Sequence, residues 1–168
     1  QLIHGLSQLA ASLNVGMFDG KSQLRGILTA LKMKEMPRFE LVDDYVLAYL
    51  LDSAKDKYTL NDLAVAYLGT ALPLEEHLLG TGKNKKDWDQ LDDEQVQSFL
   101  FGECQALLGL HQPMNEAIVA TGMDRLYHEL EKPLIFVLLD MELAGIKADR
   151  NYLDTFSVML EASLSELV

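Results

Sequence analysis

With 168 residues, 49% of them hydrophobic and 24% charged, the chain is long enough for one domain with a real core, or for one domain and part of another, and its composition excludes disorder as the default. The 14 basic and 26 acidic side chains give a net charge of −12, which weighs against free-standing nucleic-acid binding, since that draws its affinity from phosphate neutralisation. The one cysteine, Cys104, excludes an internal disulfide and suits a reducing, cytoplasmic setting, and no apolar run approaches the roughly 18 residues of a membrane span.

Residues 2–13 (LIHGLSQLAASL) have the pattern of a short helix, and "NVGMF" that of a buried strand ended by Asp19-Gly20. Leu24, Ile27, Leu28 and Leu31 predict a helix over 21–34, with Pro37 ending that region. Residues 43–52 (DDYVLAYLLD) predict a helix opened by acids that suit the positive end of its dipole. In "TLNDLAVAYLG", Thr59 and Asp62 resemble a capping box, Leu60, Leu63, Ala64, Tyr67 and Leu68 form one stripe, and Gly69 stops the helix. Pro73 opens a shorter helix to about Leu79, and 80–94 (GTGKNKKDWDQLDDE) is the most polar loop.

A helix then runs to about residue 111, where Pro113 interrupts it, and Gly122 breaks the chain again. Two long helices follow: Leu126, Leu130, Leu134, Val137, Met141 and Ala144 form the stripe of the first, and Leu153, Phe156, Leu160, Leu164 and Leu167 that of the second. The turn "AGIKAD" joins them, with Asp149 as N-cap. The expectation is a predominantly α fold with a small α/β remnant at its N-terminus. The chain opens without a methionine or a charged-then-apolar leader and closes inside a helical pattern, so it reads as a fragment.

"SFLFGECQALLGLH" (98–111) places Cys104, Glu103 and His111 in an apolar run. On a helix Leu100, Cys104, Leu107, Leu108 and His111 share one face, and Phe99, Glu103, Leu107 and Leu110 make an adjacent row, so Cys104 reads as a small buried hydrophobe. Glu103 either reaches solvent at the helix edge or lines a pocket. His4, His77, His111 and His128 never pair at metal-ligand spacing, and no zinc site can be built from local motifs. "GTGKNKK" fails as a phosphate loop, because His77 stands where the first glycine is required and Asn84 follows Lys83 in place of Ser/Thr. It reads as a solvated turn, with Lys83, Lys85 and Lys86 as candidate DNA-backbone contacts.

"RLYHELEKPLIFVLLDMELAGIKADRNYLDTFSVMLEASLSEL" (125–167) resembles the start of the polymerase domain in the DNA polymerase I family (family A), on Glu131-Lys132-Pro133-Leu134 and on Met141 through Asp149. Upstream, "VDDYVLAYLLD", "LNDLAVAYLG", "GTGKNKKDWDQL" and "ALLGLH" are similar to successive stretches of the family's 3′–5′ exonuclease domain. The resemblance implies a ribonuclease H-like exonuclease-type domain over 1–123, its N-terminal strands absent from the chain, and the first helices of the polymerase domain, at the thumb base, over 124–168.

It also implies where exonuclease residues would fall. The family holds two divalent metals with an Asp-x-Glu, which would precede residue 1, an aspartate in a second motif and a Tyr-x-x-x-Asp in a third. The second motif resembles "DGKSQLRGIL" and places its aspartate on Gln23, or in a shifted register on Asp19; the third falls on Phe99 and Glu103. Gln23 removes a charge, Phe99 has no hydroxyl to orient water, and Glu103 moves its carboxylate outward by a methylene, all unfavourable to two-metal hydrolysis. These departures imply a degenerate module, without metal ligands of its own, that braces a polymerase. The parent implied is a monomeric, cytoplasmic DNA-directed DNA polymerase of replication and repair, using Mg²⁺, dNTPs and primer-template DNA, with its polymerising residues after residue 168. Two alternatives stand beside it: an active 3′–5′ exonuclease using Asp19 and Glu103, and a stand-alone helical interaction domain.

Overall fold

Two three-residue strands set the position of everything around them. In the computed structural model, which describes residues 14–33 and 39–167, Val15–Met17 (β1) and Leu41–Asp43 (β2) pair in parallel, Val15 opposite Leu41 and Met17 opposite Asp43. β1 is the strand expected from the sequence; β2 is an addition to it. The expected helix over 2–13 and the stop at Pro37 lie outside the described residues.

Parallel strands need a crossover, and Gly20–Ala30 (α1) lies on the segment that makes it. Asp19 opens α1 from the left-handed region, φ 57, and its side chain accepts the Ser22 N–H at 3.4 Å. Gly20 follows at a tight spot: a Cβ there would stand 3.0 Å from Asp43 Oδ2 and 3.2 Å from Leu41 Cδ2, so those side chains would have to give way. α1 ends earlier than its periodicity predicts. Lys32 turns left-handed and Met33 N–H reaches back 2.9 Å to the Leu28 carbonyl, a Schellman-type end.

β2 passes directly into Asp44–Leu51 (α2). Thr59 caps Leu60–Leu63 (α3) through the Asp62 N–H at 3.1 Å, as the sequence predicts; a π-helical turn, Ala64–Leu68, continues it to Gly69 at φ 67. Glu75–Leu79 (α4) precedes a loop containing short turns at Gly82–Asn84 and Trp88–Gln90. Asp93–Ala120 (α5) is a single helix of 28 residues.

That last element corrects the expected interruption at Pro113, which lies inside α5. A mid-helix proline costs about 3 kcal/mol. Leu110, Met114 and Ile118, on both sides of it, are each 0% exposed, and burying each contributes about 1.5–3 kcal/mol, so packing outweighs the break. These three join Leu47, Ala48, Tyr58 and Leu63 in one apolar cluster. Gly122, at φ 70, then ends the helix as expected.

Asp124–Leu126 (α6), a π-helical turn Tyr127–Glu131, and Lys132–Ala144 (α7) return the chain to the strands. Ile135, Phe136 and Leu139 pack with Leu24, Leu28 and Leu41, and Phe136 meets Phe39 edge-on at 5.5 Å. The predicted stripe of this segment is therefore corrected: Leu126, Leu130, Val137 and Met141 are exposed, and the buried face lies beside them. An almost wholly apolar run, "PLIFVLL", carries no periodicity to choose a face, and the π-helical turn shifts the register ahead of it. Arg150–Leu167 (α8) buries none of its residues.

Polar contacts reinforce this return. Lys21 and Arg25 on α1 pair with Glu142 on α7 at 2.5 and 3.3 Å, Lys132 pairs with Glu40, and the Tyr127 hydroxyl accepts the Asp43 N–H at 2.9 Å. Removing that hydroxyl strands a buried donor. Tyr127→Phe is expected to lower unfolding free energy in urea by about 1–3 kcal/mol, and Asp43→Ala, which loses a helix cap and a buried hydrogen bond together, by about 2–4 kcal/mol; equal stability of Tyr127→Phe and wild type would contradict the fold described.

Candidate functional site

The residues singled out from the sequence fall at two places. At the end of β1, Asp19 caps α1 and Gln23, one turn on, is exposed. On α5, Phe99 is buried, and its ring lies 5.5 Å from that of Trp88 at a 55° tilt. Glu103 stands one turn further along, half-buried, its carboxyl pushed up first by desolvation and then by the charge of Glu75 on α4. Glu103 is thus neither fully in solvent nor part of the core.

The charged group bearing on Glu103 is Glu75, whereas Asp19 bears on Asp43. Among the described residues no group of three or more His, Cys, Asp or Glu side chains is placed to hold a metal ion.

The polar loop is tied down at its centre. Lys85 pairs with Glu75 at 3.0 Å and Lys86 N–H donates to the Leu79 carbonyl at 2.8 Å, while the Lys83 and Lys86 side chains stand in solvent. Of the histidines within the described residues, His77, His111 and His128 are exposed; His4 lies outside them. Cys104 is exposed, which corrects its expected burial. Residues 99, 106, 110, 114 and 118 face the core instead, so the row containing Leu100, Cys104 and Leu108 faces outward.

The most perturbed acids are a pair that sequence reasoning took only as favourable helix-opening charges. Asp43 and Asp44 are 1% and 2% exposed. The Asp43 carboxylate accepts the N–H of Gly20 at 2.7 Å, Tyr45 at 3.0 Å and Val46 at 3.3 Å, yet burial still holds its pKa above the usual carboxylate range. Asp44 Oδ1 has no hydrogen-bond partner, and desolvation, with Asp43 beside it, pushes the Asp44 carboxyl up to about 7. Two adjacent acids immediately before an apolar helix were the only available signal. Asp43 ends a three-residue strand and Asp44 opens the helix, and a strand that short shows no period.

No protein-family model matches the chain. Curated relatives do. It is 30% identical to DNA polymerase I of Geobacillus stearothermophilus over 149 residues, 88% of this chain and 16% of that protein. It is 31% identical to DNA polymerase I of Bacillus caldotenax over 150 residues, with the same two shares, and 28% identical to that of Rhizobium leguminosarum over 126 residues, 74% of this chain and 12% of the relative. The chain belongs to the DNA polymerase I family (family A). It spans about a sixth or less of the length of these relatives. Among the described residues no helix is long and apolar enough to cross a membrane.

The raised Asp44 pKa fixes a sign for pH dependence. In the unfolded chain an aspartate titrates near about 3.9. Folding therefore disfavours its ionised form, and stability is greatest below that value and falls until about pH 7, where the folded group has also ionised. The fall is at most about 4 kcal/mol. Asp44→Asn is expected to flatten the pH 4–7 limb of a urea-midpoint profile, roughly, and to raise stability at pH 8; an unchanged slope would show that Asp44 is not the group responsible.

Proposed function

We propose that this chain is part of a DNA-directed DNA polymerase I, a nucleotidyltransferase of replication and repair, and that it forms a degenerate 3′–5′ exonuclease-like module with a structural role. The observation carrying the first part is the match to DNA polymerases I over 88% of the chain at 30–31% identity. In this reading residues 1–123 belong to a ribonuclease H-like exonuclease-type domain and 124–168 begin the polymerase domain at the thumb base. The parallel β1–α1–β2 arrangement with α5 packed beside it is compatible with such a domain. The parent works as a cytoplasmic monomer on primer-template DNA with dNTPs, and Mg²⁺ belongs to its polymerase centre, outside this chain.

Support for the degenerate state comes from the side chains at the exonuclease positions. Gln23 is neutral and exposed, Phe99 offers a buried ring where a hydroxyl would orient water, and Glu103 answers electrostatically to Glu75. Lys83 and Lys86 are the cations left in solvent by the polar loop, and we assign them the DNA-backbone contacts proposed for it.

A bracing role also accounts for apolar surface that a self-sufficient domain would cover. Leu153, Phe156, Leu160, Leu164 and Leu167 of α8 are between 39% and 84% exposed, and Met141 on α7 is 63% exposed. This favours a polymerase segment over a stand-alone interaction domain, since contiguous apolar stripes of this kind mark contact surfaces.

The whole protein should extend a primed template with dNTPs and Mg²⁺, and should leave a 3′-labelled single strand intact in Mg²⁺ and in Mn²⁺. Failure to extend removes the polymerase reading. Shortening of the strand that disappears in Glu103→Ala removes the degenerate reading and leaves an exonuclease with altered ligands.

A further inference from the structure

A cavity of about 470 Å³ opens between β1, the start of α2 and the outward face of α5. Gly16, Val42, Leu107 and Leu108 wall it with apolar surface, Asp44 lines it, and the exposed Cys104 and His111 border it on α5. Its volume lies within the range of about 300–1,000 Å³ that small-molecule sites occupy. It lies apart from the exonuclease positions: Gln23, Phe99 and Glu103 do not line it.

Asp44 is the feature that gives this cavity a chemistry. The capping of α2 is done by Asp43, which accepts the Tyr45 and Val46 N–H groups, so Asp44 has no structural bond to explain its burial. Its residue is 2% exposed and its Oδ1 has no hydrogen-bond partner. A buried acceptor without a donor is destabilising, and more so when it is charged. Among the described residues no lysine or arginine lines the cavity, and the neighbouring Asp43 adds to the negative potential. A ligand that supplied both an N–H donor and a positive charge would offset the two costs at once.

We propose that this cavity binds a small organic cation, an apolar planar body carrying an amidinium or ammonium head, with Asp44 as its counter-ion. The head meets the carboxylate in a charge-assisted hydrogen bond, and the body lies against Val42, Leu107 and Leu108. Among the described residues the groups facing Asp44 are Asp43 beside it, Tyr127 from the turn after α6, and Cys104 and His111 from α5; Asn14, just before β1, and Gly16 within it do not titrate. Binding therefore strengthens as Asp44 ionises, through about pH 7, and then levels.

Benzamidine tests the site directly, titrated into the full chain to about 10 mM at pH 8 and at pH 5.5 and followed by amide and methyl NMR shifts. Saturable shifts at Val42, Leu107 and Leu108 are expected, with affinity at least about tenfold weaker at the lower pH. Asp44→Asn should weaken binding about tenfold or more, while His111→Gln should leave both affinity and pH dependence in place. Leu108→Trp offers a second variant that does not touch the core, because Leu108 is 80% exposed; its indole should obstruct the cavity and weaken binding comparably. Benzyl alcohol, which keeps the ring and loses the charge, should bind at least about tenfold more weakly than benzamidine. No saturable shift in the wild type, equal binding by Asp44→Asn, a pH dependence that follows His111, or equal affinity for the alcohol would each overturn the proposal.

Discussion

The Asp43 carboxylate is the constraint on which the rest of this structure depends. One side chain closes the turn between β1 and α1 by accepting the Gly20 N–H, and caps α2 through Tyr45 and Val46. Its own N–H is taken by the Tyr127 hydroxyl, 84 residues away. Burial makes such an arrangement expensive, and the carboxyl remains raised even with three N–H donors. The fold accepts that cost because strand, crossover, helix and returning segment meet at this one residue. Each of the four would otherwise leave a buried backbone donor or a helix end to be satisfied elsewhere.

That meeting point also explains why residues after α5 are not a separate body. α7 covers Leu24, Leu28 and Leu41 with Ile135, Phe136 and Leu139, and Glu142 reaches the cations of α1. The ion pairs are exposed and contribute little on their own. The apolar contact supplies the energy and the charges fix the register. In this way α7 completes the core around α1 and β2. The proposed boundary at residue 123 is in this sense a boundary of sequence pattern, with packing continuous across it.

Much of this was legible in the sequence wherever one residue type settles one local geometry. Thr59 with Asp62, Gly69 and Gly122 mark their helix ends in the structure as they do on paper. What was illegible needed distant partners. β2 has three residues and no period, Pro113 is overruled by core contacts on both sides, and "PLIFVLL" is apolar on every face. Cys104 was misplaced for the same reason: α5 offers two apolar rows, and only the elements packed against it decide which becomes the core. Within the candidate site, the burial of Asp43 and Asp44 required knowing that a short strand ends at Asp43 and passes directly into a helix.

The environment of Glu103 joins features that the sequence presents as unrelated. Its charged neighbour Glu75 is held by Lys85, and Lys86 is fixed through its backbone to Leu79, so the polar loop, α4 and Glu103 on α5 form one electrostatic unit. In that unit Lys85 is committed to Glu75, and Glu103 faces a like charge in a partly desolvated position. Trp88, from the same loop, lies against Phe99, one turn from Glu103. Partial burial and the neighbouring acid both disfavour the ionised carboxylate. A phenylalanine at residue 99 suits packing: its ring meets Trp88, and it brings no buried hydroxyl in need of a partner.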